Sequence, residues 1–204
     1  MSYVIGVCGP SCSGKTKTVK SIIDSLKEKS IVISQDNYYF TGDDNTNYDI
    51  PTAIDFSLLI SHIKDLINGK CIQSPIYDFS THSRLKETIE IKPSQIVIIE
   101  GILIFTQKEL LNLINLKVYI SAYQELAFSR RLKRDVEERG RSIEEVTERY
   151  FKDVLPSTKQ YVEPSENFSD IVLKNNIENN FIGLEILLNH ISMISEKNKK
   201  YSLK

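Results

Sequence analysis

The stretch Gly9-Pro10-Ser11-Cys12-Ser13-Gly14-Lys15-Thr16 fits the spacing G-x-x-x-x-G-K-[ST] at every required position, and nothing else in the chain restricts the fold as strongly. Such a loop works only between a strand and a helix. Both flanks are present: Tyr3 to Cys8 is an apolar run that reads as a buried strand, and Thr18, Val19, Ile22, Ile23 and Leu26 recur at helical spacing. The glycines let successive backbone N–H groups turn inward on phosphates, and the helix aims the positive end of its dipole at the same place. Gly9 through Thr16 is therefore the expected nucleotide cradle, with Lys15 reaching the β- and γ-phosphates and the Thr16 hydroxyl ligating Mg²⁺.

A chain of 204 residues, 41% of them hydrophobic, can bury a full core, and the expectation is one domain over residues 1–204. Its formal net charge of −1 supplies no field to attract nucleic acid or an acidic membrane. Three cysteines, without metal spacing or an even count, suit a reducing compartment. No signal-peptide pattern and no apolar run of membrane-spanning length is present, so a soluble, cytoplasmic protein is expected. The run Glu196 to Lys200 reads as a solvated, frayed end.

Ser30 to Ser34 is a second short strand, with Asp36 just past its carboxyl end, where open α/β sheets bind ligands. A helix is expected from about Ala53 to Ile67, stopped by Asn68-Gly69. Lys70 to Tyr77 and Thr88 to Ile91 alternate around a polar tip at Thr81 to Lys86, a β-hairpin of about residues 70–92 standing off the sheet. Gln95 to Ile99 is a central parallel strand that delivers Glu100 to the edge bearing the cradle. A strand at Lys117 to Ser121 precedes a helix from about Gln124 to Glu138, and Ser142 to Glu145 is a capping box for the next helix, with Pro156 near its end. Asp170 to Leu173 is the last strand, and Phe181, Leu184, Leu187, Leu188 and Ile191 stripe a closing helix. The class is α/β, with a five-stranded parallel sheet flanked by helices.

Phosphoryl transfer needs a partner for the acceptor hydroxyl, a metal site and cations for the transferred group. Asp36 is placed to take the proton of an attacking hydroxyl, or to close a turn as an Asx residue. Glu100 holds a Mg²⁺ water or is an ordinary strand-end acid. The arginines between 130 and 155 read either as a lid that closes on phosphates or as a solvated face neutralised by Asp135, Glu137, Glu138, Glu144 and Glu145.

Several segments resemble the uridine kinases (uridine–cytidine kinases): Ser34-Gln35-Asp36-Asn37-Tyr38-Tyr39, Tyr48-Asp49-Ile50-Pro51, Pro75-Ile76-Tyr77-Asp78-Phe79 with His82-Ser83-Arg84, Ile99-Glu100-Gly101, and the arginine run from Arg130 to Arg141. They occur in the family's order from the cradle to about Asp170. The resemblance implies that Asp36 is the base for the ribose 5′-hydroxyl and that Asp49 holds the ribose hydroxyls with Arg131. It implies that Tyr77 and His82 read the pyrimidine edge, that Tyr39 and Phe79 pack on the nucleoside, and that Arg134, Arg139 and Arg141 are lid residues near phosphates and substrate.

Arg149 stands where the family usually has a nucleoside-contacting glutamine, and Ala127 where a lid-helix arginine is common. Asn175, Asn176 and Glu178 replace a more basic stretch at the family's adenine site. The expectation is an ATP- or GTP-using, Mg²⁺-dependent kinase for the 5′-hydroxyl of uridine and cytidine, assembled as a tetramer. The rival readings are a kinase for another nucleoside or small alcohol and a nucleotide-binding module without catalysis.

Overall fold

The computed structural model describes residues 2–26, 30–176 and 182–201, with side chains of the closing helix described over 183–194. Glu178 and Phe181 lie outside the described residues. The main sheet comprises β1 (Tyr3–Cys8), β2 (Ser30–Ser34), β5 (Ile96–Gly101), β6 (Leu116–Ser121) and β7 (Ile171–Lys174), all parallel in the order β2-β5-β1-β6-β7. The remaining strands, β3 (Ile72–Asp78) and β4 (Ser83–Ile91), form the separate antiparallel hairpin. The helices are α1 (Lys15–Leu26), α2 (Phe56–Ile67), α3 (Lys108–Leu111), α4 (Gln124–Glu137), α5 (Ile143–Arg149), α6 (Leu155–Ser157) and α7 (Ile182–Tyr201).

Strand residues of alternate parity enter two separate cores, as a sheet covered on both faces requires. Val4, Cys8, Val97, Ile99 and Tyr119 pack with α2 on one face. Ile5, Val7, Ile96, Ile98, Val118 and Ile120 pack with α1 and α7 on the other. Pairing of Val7 with Glu100 and of Ser34 with Glu100 sets the carboxyl ends of β1, β2 and β5 level. The chemistry-bearing residues after these strands therefore share one edge.

Several boundaries differ from the sequence expectation for identifiable reasons. Asp55 accepts from the Leu58 N–H at 3.0 Å and caps α2, so Pro51–Ala53 is a separate 3₁₀ turn rather than the helix start. The hairpin turn is Phe79 to His82, not Thr81 to Lys86. Asp78 accepts from Ser80 N and from the Ser80 and Thr81 hydroxyls, which closes the chain early. Pro156 does not end its helix: π turns at Tyr150–Val154 and Thr158–Val162 carry the coil through it, and a 3₁₀ turn extends it to Phe168. A π turn widens the coil around a residue with no N–H to donate. At the other end of the chain, α7 continues through Glu196 to Lys200 as far as Tyr201, where the charge run had suggested fraying. Among the described residues, no helix is long and apolar enough to cross a membrane.

Candidate active site

The cradle follows β1 and opens α1. Gly9 has φ 142°, Cys12 φ 59° and Gly14 φ 110°. A Cβ on Gly9 would lie 2.3 Å from the Ile120 carbonyl oxygen, so the first glycine is required by space as well as by φ. Lys15 is buried, and its Nζ donates to the carbonyls of Gly9 at 3.0 Å and Pro10 at 2.8 Å. The lysine thus tethers the loop that it follows, with one of its three donors uncommitted. Asn175 Nδ2 donates to Ser13 O at 2.7 Å, which braces the same loop from the end of β7. Asn175 therefore has a structural task in this chain.

Two cavities meet at this edge. One is lined by Ser11, Cys12, Gly14, Lys15, Thr16, Glu100, Arg130 and Arg134. The other lies between the hairpin and the arginine-bearing helices. Asp36, Ser11, Ile102 and Arg134 line both cavities, so Asp36 stands at their junction.

Asp36 sits on a 3₁₀ turn, Gln35–Tyr38, capped by Ser34, whose Oγ donates to Glu100 Oε1 at 2.9 Å. Burial and the nearby Glu100 carboxylate push the Asp36 carboxyl up to about 6, against the opposing pull of Lys15, Arg139 and Arg134. Such a group is a carboxylate at neutral pH yet retains real proton affinity. Thr16 and Glu100 supply hard oxygen donors to the first cavity, the ligand type that Mg²⁺ takes alongside phosphate oxygens. The donor set therefore fits a Mg²⁺–nucleotide pair.

The second cavity is aromatic on one side. Tyr39, Tyr48, Tyr77 and Phe79 form a chain of edge and tilted contacts with ring centroids 5.2 to 6.4 Å apart. His82, at φ 50°, lies parallel to Tyr48 at 5.4 Å. Tyr77 Oη and His82 Nδ1 are buried without a protein partner, although both residues line the cavity. Polar atoms left this way in a cleft are candidates for ligand hydrogen bonds. Asp49 and Arg131 line the same space, and burial raises the Asp49 carboxyl while the Arg131 guanidinium opposes the shift.

Arg84 locks the hairpin in place. Its guanidinium donates to Tyr39 O at 2.8 Å, Tyr38 O at 2.6 Å and Asp55 Oδ2 at 3.1 Å. Removal of this three-point tether in Arg84→Met is expected to raise KM for the acceptor about tenfold or more, with KM for the nucleotide nearly unchanged. Equal increases in both KM values would show that the hairpin does not belong to the acceptor side.

The arginines converge on one buried carboxylate. Asp135, 1% exposed, lies 3.4 Å from Arg131 Nε, 2.8 Å from Arg134 Nη2 and 3.3 Å from Arg139 Nη1. It gathers three guanidiniums that would otherwise repel one another. Arg131 also donates to Ser11 Oγ in the cradle at 3.0 Å, and Arg139 covers the face of Phe79 at 5.2 Å. Arg141 lines the second cavity with its Nε 3.7 Å from Glu145. Arg149 lines it too, but donates to the carbonyl of Asp44 at 2.8 Å.

Sequence reasoning did not single out Tyr48, Arg84 as a tether, or Asp135 as a hub. Tyr48 and Arg84 lie in segments that carry the family resemblance, and Asp135 carried a signal of spacing: an acid inside an arginine run at helical spacing from Arg131 and Arg139.

The model of the Phosphoribulokinase / Uridine kinase family matches residues 4–181. The chain is 38% identical over 203 residues to a uridine kinase of Bacillus subtilis, covering 96% of each chain. It is 38% identical over 204 residues to a uridine kinase of Clostridium novyi, covering 96% of this chain and 98% of that one. Its fold is similar to that of a possible uridine kinase from Bacillus stearothermophilus (TM-score 0.60, 19% identity, 84% and 88% covered). It is also similar to that of the phosphoribulokinase of Rhodobacter spheroides (TM-score 0.63, 16% identity, 85% and 70% covered). With the cradle, the hairpin and the parallel sheet order in place, this chain is a member of the phosphoribulokinase / uridine kinase family.

Proposed function

We propose that this protein transfers the γ-phosphoryl group of ATP to the 5′-hydroxyl of uridine and cytidine, in the cytoplasm. The observation that carries the reading is Asp36 at the junction of a phosphate cradle and an aromatic cleft containing unpaired Tyr77 Oη and His82 Nδ1. The relatives named uridine kinase support the acceptor class.

In this reading the nucleotide lies on Gly9 to Thr16, with Lys15 at its β- and γ-phosphates. Thr16 and Glu100 would hold Mg²⁺, which would supply charge neutralisation on the phosphates. Arg134 and Arg139 sit over the phosphates as part of an arginine lid of about residues 130–155, and Asp135 holds them in one array. Asp49 and Arg131 take the ribose hydroxyls, with Arg141 and Arg149 closing the cleft, while Tyr39 and Phe79 pack on the nucleoside. Asp36 accepts the proton of the 5′-hydroxyl as that oxygen bonds to the γ-phosphorus and the bond to the bridging oxygen breaks, releasing ADP. Use of GTP as donor, an adenine site reaching Glu178 and assembly as a tetramer are carried by the family resemblance.

The test is kcat/KM for uridine, cytidine, adenosine and guanosine in the wild type, His82→Ala and Asp49→Ala. Purine nucleosides are expected to fail, because a mismatched edge leaves the buried Tyr77 and His82 groups unpaired. Asp49→Ala should cost both pyrimidines equally and His82→Ala unequally, since the two bases differ in donor and acceptor character at position 4. Equal losses in His82→Ala would remove the hairpin from base reading.

A further inference from the structure

The loop between β2 and α2 folds onto the hairpin turn and limits what His82 can present. Gly42 N–H donates to His82 O at 3.0 Å. Asp43 accepts from Asn45 N and from the Thr46 hydroxyl, each at 2.9 Å, so the loop is closed on itself. Arg149 Nη2 donates to Asp44 O at 2.8 Å and lies 3.5 Å from Thr46 O. The Asp44 carboxylate consequently stands 3.2 Å from His82 Nε2. Tyr48, stacked on the imidazole with an interplanar angle of 12°, fixes the ring plane.

A carboxylate only accepts hydrogen bonds, so the proton of a neutral His82 belongs on Nε2. Nδ1 is then an acceptor, and it is the atom left buried without a protein partner.

We propose that Asp44, held by Arg149, is a positioning residue that fixes His82 Nδ1 as a hydrogen-bond acceptor and so biases the site toward an amino group on the base edge, cytidine over uridine. The inference rests on the base-reading role of the hairpin. Cytosine offers an amine at position 4, which an acceptor satisfies, whereas uracil offers a carbonyl oxygen, which it does not. Tyr77 Oη both donates and accepts, so it serves either base. Arg149 thereby acts on specificity through the loop carbonyls it holds.

Two measurements separate this inference from its foundation. Nitrogen-15 NMR of the unliganded protein at neutral pH is expected to show His82 in the Nε2–H form in the wild type and as a mixture of both forms in Asp44→Ala. The Asp44 side chain is 92% exposed, so the variant retains its core. The ratio of kcat/KM for cytidine to that for uridine should fall about three- to tenfold in Asp44→Ala, in line with the loss of one oriented hydrogen bond. Arg149→Met should shift it in the same direction by less. A wild-type Nδ1–H form, or a ratio unchanged in Asp44→Ala while both kcat/KM values fall together, would overturn the proposal. Equal losses for the two bases in His82→Ala would instead overturn the base-reading role, whatever the tautomer.

Discussion

Asp36→Asn is expected to lower kcat about 10²- to 10⁴-fold while changing KM for the nucleoside by less than threefold, because an amide still meets the acceptor hydroxyl but cannot take its proton. The same substitution should stabilise the fold. The Asp36 carboxyl is raised from 3.8 to about 6 in the folded chain. The folded state therefore binds more protons than the unfolded one between those values, and stability declines as pH rises through about 6. Above that pH the buried charge carries its full cost, about 1–3 kcal/mol at the usual conversion of pKa shift to free energy. Asparagine removes the cost, so the melting temperature at pH 7.5 should rise by several degrees, and the gain should fade near pH 4. In the wild type, kcat/KM should rise with pH through about 6 and then level off. A variant that keeps its kcat would make Asp36 a turn residue rather than a base, and one that loses kcat without gaining stability would show that the buried carboxylate carries no such cost.

Lys15→Ala is expected to reduce turnover at saturating nucleotide by about 10²- to 10³-fold, the scale set by removal of one preorganised donor to developing charge. Lys15 also bonds the Gly9 and Pro10 carbonyls, so nucleotide affinity should fall with turnover as the loop loses its tether. The acceptor cleft is not lined by Lys15, and nucleoside binding measured calorimetrically should be nearly unchanged. Turnover within threefold of the wild type would detach the cradle from the reaction.

The parts of this site that a reader can take from the sequence are those with local signatures. The cradle is a fixed spacing between a strand and a helix, Glu100 closes an uninterrupted apolar strand, and the Ser142 cap forms as its sequence predicts, its hydroxyl accepting from Glu145 N. Asp36 is local in the same sense, being the second residue after a strand. What stayed hidden is made by partners far apart in the chain. Arg84 acts through carbonyls of Tyr38 and Tyr39, Asn175 through the carbonyl of Ser13, and Arg149 through the carbonyl of Asp44. Side chains that bond to backbone carbonyls leave no pattern of paired residue types. The π turns around Pro156 are hidden for a related reason: proline predicts a stop, whereas the coil continues through it with Tyr150, Val154 and Val162 buried.

The most direct measurement follows ATP labelled at its γ-phosphate with uridine, cytidine or 5′-deoxyuridine as acceptor, and identifies the product. Label is expected in UMP and CMP at the 5′ position, with none transferred to 5′-deoxyuridine and with transfer slowed about 10²- to 10⁴-fold in Asp36→Asn. Label appearing on 5′-deoxyuridine, or no transfer to either pyrimidine nucleoside while another small alcohol is phosphorylated, would contradict the account.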